Sequence, residues 1–225
     1  VAREDARNRR GGALMPHAES ERVALDFVTE QISDEDATTI SELVKRNRRP
    51  RMVAAELGTY TGRSALAILP QIGRDGHLYC VDWFRGNPGV EAEIGPSYRA
   101  HDILRALLRN LSAAGFTDRV TVLVGTTESA ARIVANETLD VLFVDADHRY
   151  SSVKRDLAAW VPKVRRGGLV FGHDFERHLR ECDPARVAAH CEDDFVDGTH
   201  YGVVRAVCER FPSVRREGRI WWAHP

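Results

Sequence analysis

The sequence predicts an α/β fold: a doubly wound, mostly parallel sheet with helices on both faces and an antiparallel hairpin strand added at the C-terminal end. Three observations carry this expectation. From Arg51 onward, short continuous apolar runs alternate with amphipathic stretches, as strands buried on both faces alternate with crossover helices. The first run breaks into a glycine-bearing turn, Glu56-Leu57-Gly58-Thr59-Tyr60-Thr61-Gly62-Arg63-Ser64, and the second ends on an acid, Asp82. The last two strand-like pieces are joined by Glu217-Gly218 alone, a link that suits a hairpin and is too short for a crossover.

Taken in order, residues from about Ser20 to Asn47 read as two helices. Val23, Phe27, Val28 and Ile32 form one apolar stripe; Ser33 is an N-cap followed by Asp34, Glu35 and Asp36 in the first turn. Strands follow at Arg51–Leu57 and His77–Val81, separated by a helix from Ser64 to Leu69 that Pro70 and Gly73 end. A Gly/Pro-rich loop, Arg85 to Pro96, leads into a helix from Tyr98 to Ala114. Next come a strand at Val120–Val124, a helix at Glu128–Ala135, a strand at Val141–Asp145 and a helix from about Ser151 to Val164. Gly167-Gly168 is read as the stop of that helix, and Leu169–Gly172 as the fifth strand. A helix at Val203–Phe211 stops at Pro212, before the hairpin of Ser213–Arg216 and Arg219–Ala223. In that last strand Trp221 and Trp222 alternate faces, one toward the core.

Composition narrows the function classes. At 225 residues and 43% hydrophobic content the chain fits one large domain. Net charge is −1 from 32 basic and 33 acidic residues, which leaves no global footprint for nucleic acid. No run of about 18 apolar residues is present to span a membrane. The arginine-rich start lacks the apolar stretch of a secretory signal and reads as a flexible tail over residues 1–20. Cys80, Cys182, Cys191 and Cys208 show no tight pairing, so a reducing compartment, the cytoplasm, is expected.

The candidate site follows from the fold, because ligands in an open α/β sheet lie beyond the carboxyl ends of its strands. Gly58 and Gly62 let a ligand approach the backbone, and Asp82, 24 residues after Gly58, can accept ribose hydroxyls. The turn reads E-x-G-x-x-x-G-x-S, not the three-glycine dinucleotide fingerprint. Glu56 within it repels a diphosphate and suits a ligand with an amino group, favouring S-adenosylmethionine over NAD. Trp83 and Phe84 are placed to stack on adenine, line an acceptor pocket or pack in the core. Gly125-Thr126-Thr127-Glu128, Asp145-Ala146-Asp147-His148 and His173-Asp174 tip the remaining strands.

Asp145, His173 and Asp174 suit a divalent cation with open positions for water or substrate; the alternative is that Asp145 meets the cofactor while His173 and Asp174 cap a neighbouring helix. His148, three residues past Asp145, is the candidate general base, with a surface histidine at a helix start as the other use. His178, Cys182, His190, Cys191 and His200 are of zinc-ligating types, but their spacing matches no compact finger. That stretch reads as a mobile lid.

The run Val53 to Leu66 resembles motif I of class I S-adenosylmethionine-dependent methyltransferases, above all the catechol O-methyltransferase branch with its Glu-Leu-Gly-x-Tyr-x-Gly-x-Ser. Phe143 to Tyr150 and Gly167 to Asp174 are similar to later motifs of bacterial small-molecule O-methyltransferases. The likeness spans about Arg51 to Phe175 and implies a Rossmann-like sheet. It implies that Glu56 and the Gly58–Gly62 loop, with Tyr60 and Ser64, hold the methionine portion. Asp82 would take the ribose, and Gly125, Thr126, Thr127 and Glu128 would surround the adenine, with Trp83 and Asp145 beside the cofactor. Asp145, His173 and Asp174 fall at the metal-ligand positions and His148 where the catechol enzymes place a lysine. Two departures are plain: His173 stands for a carboxylate and His148 for that lysine.

The expected organisation is a tail at 1–20, N-terminal helices over the cofactor site at 21–49, and a methyltransferase domain at 50–225 with a substrate lid at 176–201. The expected activity is methylation of a small-molecule hydroxyl (sugar, phenol or secondary metabolite) assisted by Mg or Mn, in a homodimer or higher homo-oligomer with no nucleic-acid or membrane partner. Metal-independent or N-methylation, a non-catalytic cofactor-binding subunit, and a nicotinamide-dependent oxidoreductase are the alternatives.

Overall fold

The computed structural model describes residues 31–86 and 100–225. The expected tail, the first N-terminal helix up to residue 30, most of the 85–96 loop and the start at Tyr98 lie outside these residues. In chain order the elements are α1 Asp34–Arg46, β1 Val53–Leu57, α2 Arg63–Ile68, β2 His77–Asp82, α3 Ala100–Ala113, β3 Val120–Val124, α4 Thr127–Ala131, β4 Leu139–Val144, α5 Tyr150–Trp160, β5 Val164–Gly172, α6 Pro184–His190, α7 Tyr201–Arg210, β6 Arg215–Glu217 and β7 Ile220–Ala223.

The strands form one sheet in the order β3-β2-β1-β4-β5-β7-β6. β1 to β5 run parallel; β7 pairs antiparallel with β5, and β6 with β7. The Rossmann-like sheet and the hairpin at its edge are therefore as expected. Its outermost strand is Arg-Arg-Glu, fully exposed, and charge on an edge strand discourages pairing with another chain.

Side-chain alternation divides the core in two. Ala55, Leu57, Leu142, Val144 and Val170 face α4, α5 and α7; Ala54, Val141, Phe143, Leu169 and Phe171 face α1, α2 and α3. Trp221 is fully buried on the first face, while Trp222 packs half-buried on the second. No described helix is long and apolar enough to cross a membrane.

Three boundaries differ from expectation: the end of α5, the start of β5 and the end of α4. The helix before β5 ends at Trp160, followed by a single 3-10 turn, Val161–Lys163, that contains Pro162. Gly167 and Gly168 lie inside the β5 span, where pairing with β4 shifts register. A Cβ on Gly168 would stand 2.6 Å from Val164 Cγ1 and 2.8 Å from the Asp140 carbonyl oxygen. Close approach, not a helix cap, therefore requires glycine there. α4 is likewise shorter than expected, giving way to turns after Ala131.

Candidate active site

The strand order reverses between β1 and β4, and a cavity of about 480 Å³ opens there, where a switch point of this sheet type places its ligands. Its glycine-loop end is built from the β1, β2 and β3 termini. Gly58 has φ +83°, and a Cβ on it would stand 1.9 Å from the Asp145 carbonyl oxygen, so the turn lies against the tip of β4. Tyr60 N–H donates to Asp82 Oδ2 at 2.8 Å and Phe84 N–H to Oδ1 at 2.6 Å. The carboxylate thus joins two loops and still has lone pairs to offer. Burial pushes the Asp82 carboxyl up, against the pull of those N–H groups.

Thr126 caps α4, accepting from Ser129 N–H. Thr127 is pinned twice by α5: its hydroxyl donates to Asp156 Oδ1 at 2.5 Å, and its carbonyl accepts from Trp160 Nε1. Glu128 pairs with Arg155 at 2.7 Å. Trp83 stands half-open on the wall, and Phe84 is buried in the core beside it. Of the residues expected at the cofactor, Gly58, Tyr60, Asp82, Trp83, Gly125, Thr126, Thr127, Glu128 and Asp145 line the cavity; Glu56, Gly62 and Ser64 do not. Glu56 is wholly buried and neither of its oxygens has a hydrogen-bond partner. Burial raises its carboxyl to about 8, although the Ser64 and Thr59 hydroxyls nearby pull it down.

The other end of the cavity gathers histidines and carboxylates. Asp145, His173 and Asp174 present donor atoms all within 4.8 Å of one another. His173 Nδ1 is 3.1 Å from Asp174 Oδ1 and 3.9 Å from Asp145 Oδ1, while its Nε2 is 3.2 Å from Asp36 Oδ2. His148 Nε2 lies 3.0 Å from Asp174 Oδ2, and its Nδ1 2.8 Å from Asp194 Oδ1. Burial works against the positive charge of both rings, but the surrounding acids together outweigh it: Asp174, Asp36 and Asp145 raise His173 to about 10, and Asp174, Asp194 and Asp145 raise His148 well above the usual histidine range. Burial and Asp174 raise Asp145 to about 6, against the pull of His173 and His148.

This end also contains residues the sequence did not single out for it. In the sequence Asp36 reads only as a helix-start acid, Glu176 and Asp194 only as part of the lid segment, and Arg219 only as the start of the last strand. His200 had been placed in the lid. It stacks edge-on against His148 with ring centres 4.6 Å apart, and its Nδ1 is held by Glu176 at 2.8 Å. A second donor set, His148, Asp174 and His200, shares Asp174 with the first, and one nitrogen of its His200, Nδ1, is held by Glu176. Among the described residues no metal-type group includes His178, Cys182, His190 or Cys191. The 176–201 segment carries α6 and is tied to the start of α5, with Tyr150 N–H donating to the Cys191 carbonyl and Ser151 to Glu192. Asp156 on the cavity wall was also missed; burial raises it to about 7.

The donor set at Asp145, His173 and Asp174 fits a divalent cation. It combines two carboxylates with an imidazole whose other nitrogen faces a carboxylate, as metal-bound histidines usually do. A mixed N/O set of this kind suits Mn²⁺ or Fe²⁺ better than Mg²⁺.

The fold and the cavity at its switch point define an α/β protein with a ligand site at its strand ends. Residues 55–175 match the methyltransferase domain family. The chain belongs to that family, and it has the fold of the class I S-adenosylmethionine-dependent methyltransferases that its motifs resemble. No curated protein matches it in sequence. Similar solved structures include cofactor-bound Rv0187 from MTB, at TM-score 0.61 and 18% identity over 91% of this chain and 84% of that one. The O-methyltransferase TomG from Streptomyces achromogenes, in complex with SAM and involved in tomaymycin synthesis, gives 0.59 and 16% over 85% and 79%. An O-methyltransferase from Bacillus cereus in complex with SAH gives 0.59 and 17% over 92% and 86%. At these identities the likeness is one of fold.

Proposed function

We propose that this enzyme transfers the methyl group of S-adenosylmethionine to a hydroxyl of a small molecule, with a divalent cation held by Asp145, His173 and Asp174. The observation that carries the reading is that one cavity joins the glycine loop and Asp82 to that donor set, with His148 between them and Asp194. The solved neighbours described as O-methyltransferases, two of them with SAM or SAH bound, support it.

Asp82 keeps an acceptor face for ribose hydroxyls. A bound cation would supply Lewis acidity, lowering the pKa of a nearby hydroxyl. Asp194 occupies His148 Nδ1, so Nε2 is the atom that takes the acceptor's proton. With a cation held by Asp174 and Asp145, the attraction of these two acids for the His148 proton would weaken, leaving Asp194 to hold the ring. The acceptor oxygen then forms its bond to the methyl carbon as the carbon–sulfur bond breaks, leaving S-adenosylhomocysteine. Orientation of two bound reactants supplies much of the rate. The four free cysteines fit a reducing compartment, and the cytoplasm is the proposed location.

The test is turnover, read as S-adenosylhomocysteine formed, over a panel of phenols, sugars and amines with and without chelator. Hydroxylated acceptors should be methylated, chelator should stop the reaction, and Mn²⁺ should restore it. Undiminished turnover in chelator would remove the cation from the mechanism; turnover with amines alone would move the reading to N-methylation.

A further inference from the structure

Asp36 does more than a helix start requires. In the first turn of α1 its Oδ2 accepts from Ser33 Oγ at 2.7 Å and from Ser33 N–H at 3.2 Å, completing a capping box. A capping acid needs only to reach back to the first turn, where it can stay in water. Asp36 is instead 7% exposed, and the same oxygen lies 3.1 Å from Arg219 Nη2 and 3.2 Å from His173 Nε2. The last contact is at ion-pair distance without an aligned hydrogen bond. Arg219 also reaches to 3.6 Å from Asp174 Oδ1, so it bridges the two acids. Ser33, Arg219 and His173 all meet Oδ2, and Asp36 belongs to neither group of converging donor atoms, so it acts on the cation through His173.

Its effect on His173 is different. A carboxylate at Nε2 favours the tautomer that carries the ring proton there, which leaves the Nδ1 lone pair facing Asp145 and Asp174. We propose that Asp36, from a helix outside the matched domain, is the positioning residue that presents His173 Nδ1 to the divalent cation. The proposal rests on the cation reading given above. It assigns to the N-terminal helix a part in the metal centre that the matched residues 55–175 do not contain.

The experiment is a Mn²⁺ titration of the full chain, with free Mn²⁺ followed by electron paramagnetic resonance and S-adenosylhomocysteine affinity measured in parallel. The variants are Asp36→Ala, Ser33→Ala and His173→Ala. Wild type should bind Mn²⁺, His173→Ala should lose it, and Asp36→Ala should bind about 10- to 100-fold more weakly, the usual cost of losing such a partner. Ser33→Ala removes the other half of the capping box without touching His173, so its Mn²⁺ affinity should stay close to wild type. Unchanged Mn²⁺ affinity in Asp36→Ala overturns the proposal, and so does an equal loss in Ser33→Ala, which would trace the effect to the helix start. If wild type binds no Mn²⁺, or His173→Ala binds as well as wild type, the cation reading itself falls. S-adenosylhomocysteine affinity within a few-fold in every variant shows that the folded cavity survives.

Discussion

The two ends of the cavity are built in different ways. The glycine-loop end comes from one continuous stretch, from Gly58 to Glu128, with each contribution at the tip of the next strand. The histidine end takes Asp145, His148, His173 and Asp174 from the matched domain, then adds Asp36 from α1, Asp194 and His200 from the segment before α7, and Arg219 from the terminal hairpin. A site at strand tips inherits its geometry from the sheet; a site closed by flanking segments can change partners without changing the sheet. On this reading the first end is fixed by the fold, and the second is where this chain's own chemistry is set.

The sharpest way to break that division is His148→Ala. Turnover should fall by about 10²- to 10⁴-fold, the worth of a general base, while S-adenosylhomocysteine affinity by calorimetry stays within a few-fold. Near-normal turnover removes His148 from the mechanism; a large loss of affinity would mean that the two ends are not separable. Asp82→Ala is the converse. It should weaken S-adenosylhomocysteine by about 10- to 100-fold through lost charge-assisted hydrogen bonds, with Mn²⁺ binding unaffected; coupled losses would again merge the ends.

A smaller effect sharpens the role of the flank. Asp194→Asn should slow turnover by about 10-fold, the value of one hydrogen bond to a charged group, because the asparagine carbonyl can still accept from His148 Nδ1–H and hold the ring. A loss as great as that of His148→Ala would make Asp194 indispensable rather than supporting.

The smallest effect concerns Glu56. Its folded pKa of about 8 lies above the ordinary 4.5, so between those values the unfolded chain has released a proton that the folded chain keeps. Stability must therefore fall as pH rises through that window and level off above about 8. Glu56→Gln lacks this term. Its melting temperature relative to wild type should climb from pH 4.5 to 8 and then stay flat; a constant difference across the range would show that Glu56 is ionised in the folded protein.

Legibility in the sequence followed the same division. The strands, their alternation with helices and the terminal hairpin came from apolar runs and turn residues, because buried strands must be continuously apolar and a two-residue link must turn back. Asp145, His148, His173 and Asp174 were legible because they sit at or just past strand ends. Gly167-Gly168 misled: glycine serves equally at a helix end and in an irregular strand, and only the crowding by Val164 and the Asp140 carbonyl distinguishes the two. Asp36 carried the signature of a capping acid and truly caps, so its second use left no local trace. His200 was noticed for its type but grouped with its neighbours in sequence, whereas its ring packs on His148, 52 positions earlier.

The strands, their alternation with helices and the acid-tipped strand ends were readable from the sequence, because hydrophobic periodicity and turn chemistry are local properties. The strand order and its switch point came from the packing. Which side chains close the histidine end depends on long-range packing. Contacts from Asp36 to His173, from Asp194 to His148 and from Arg219 across to Asp174 join residues that share no periodicity, and they exist because α1 and α7 pack their apolar faces onto the two sides of one sheet whose edge the terminal hairpin extends.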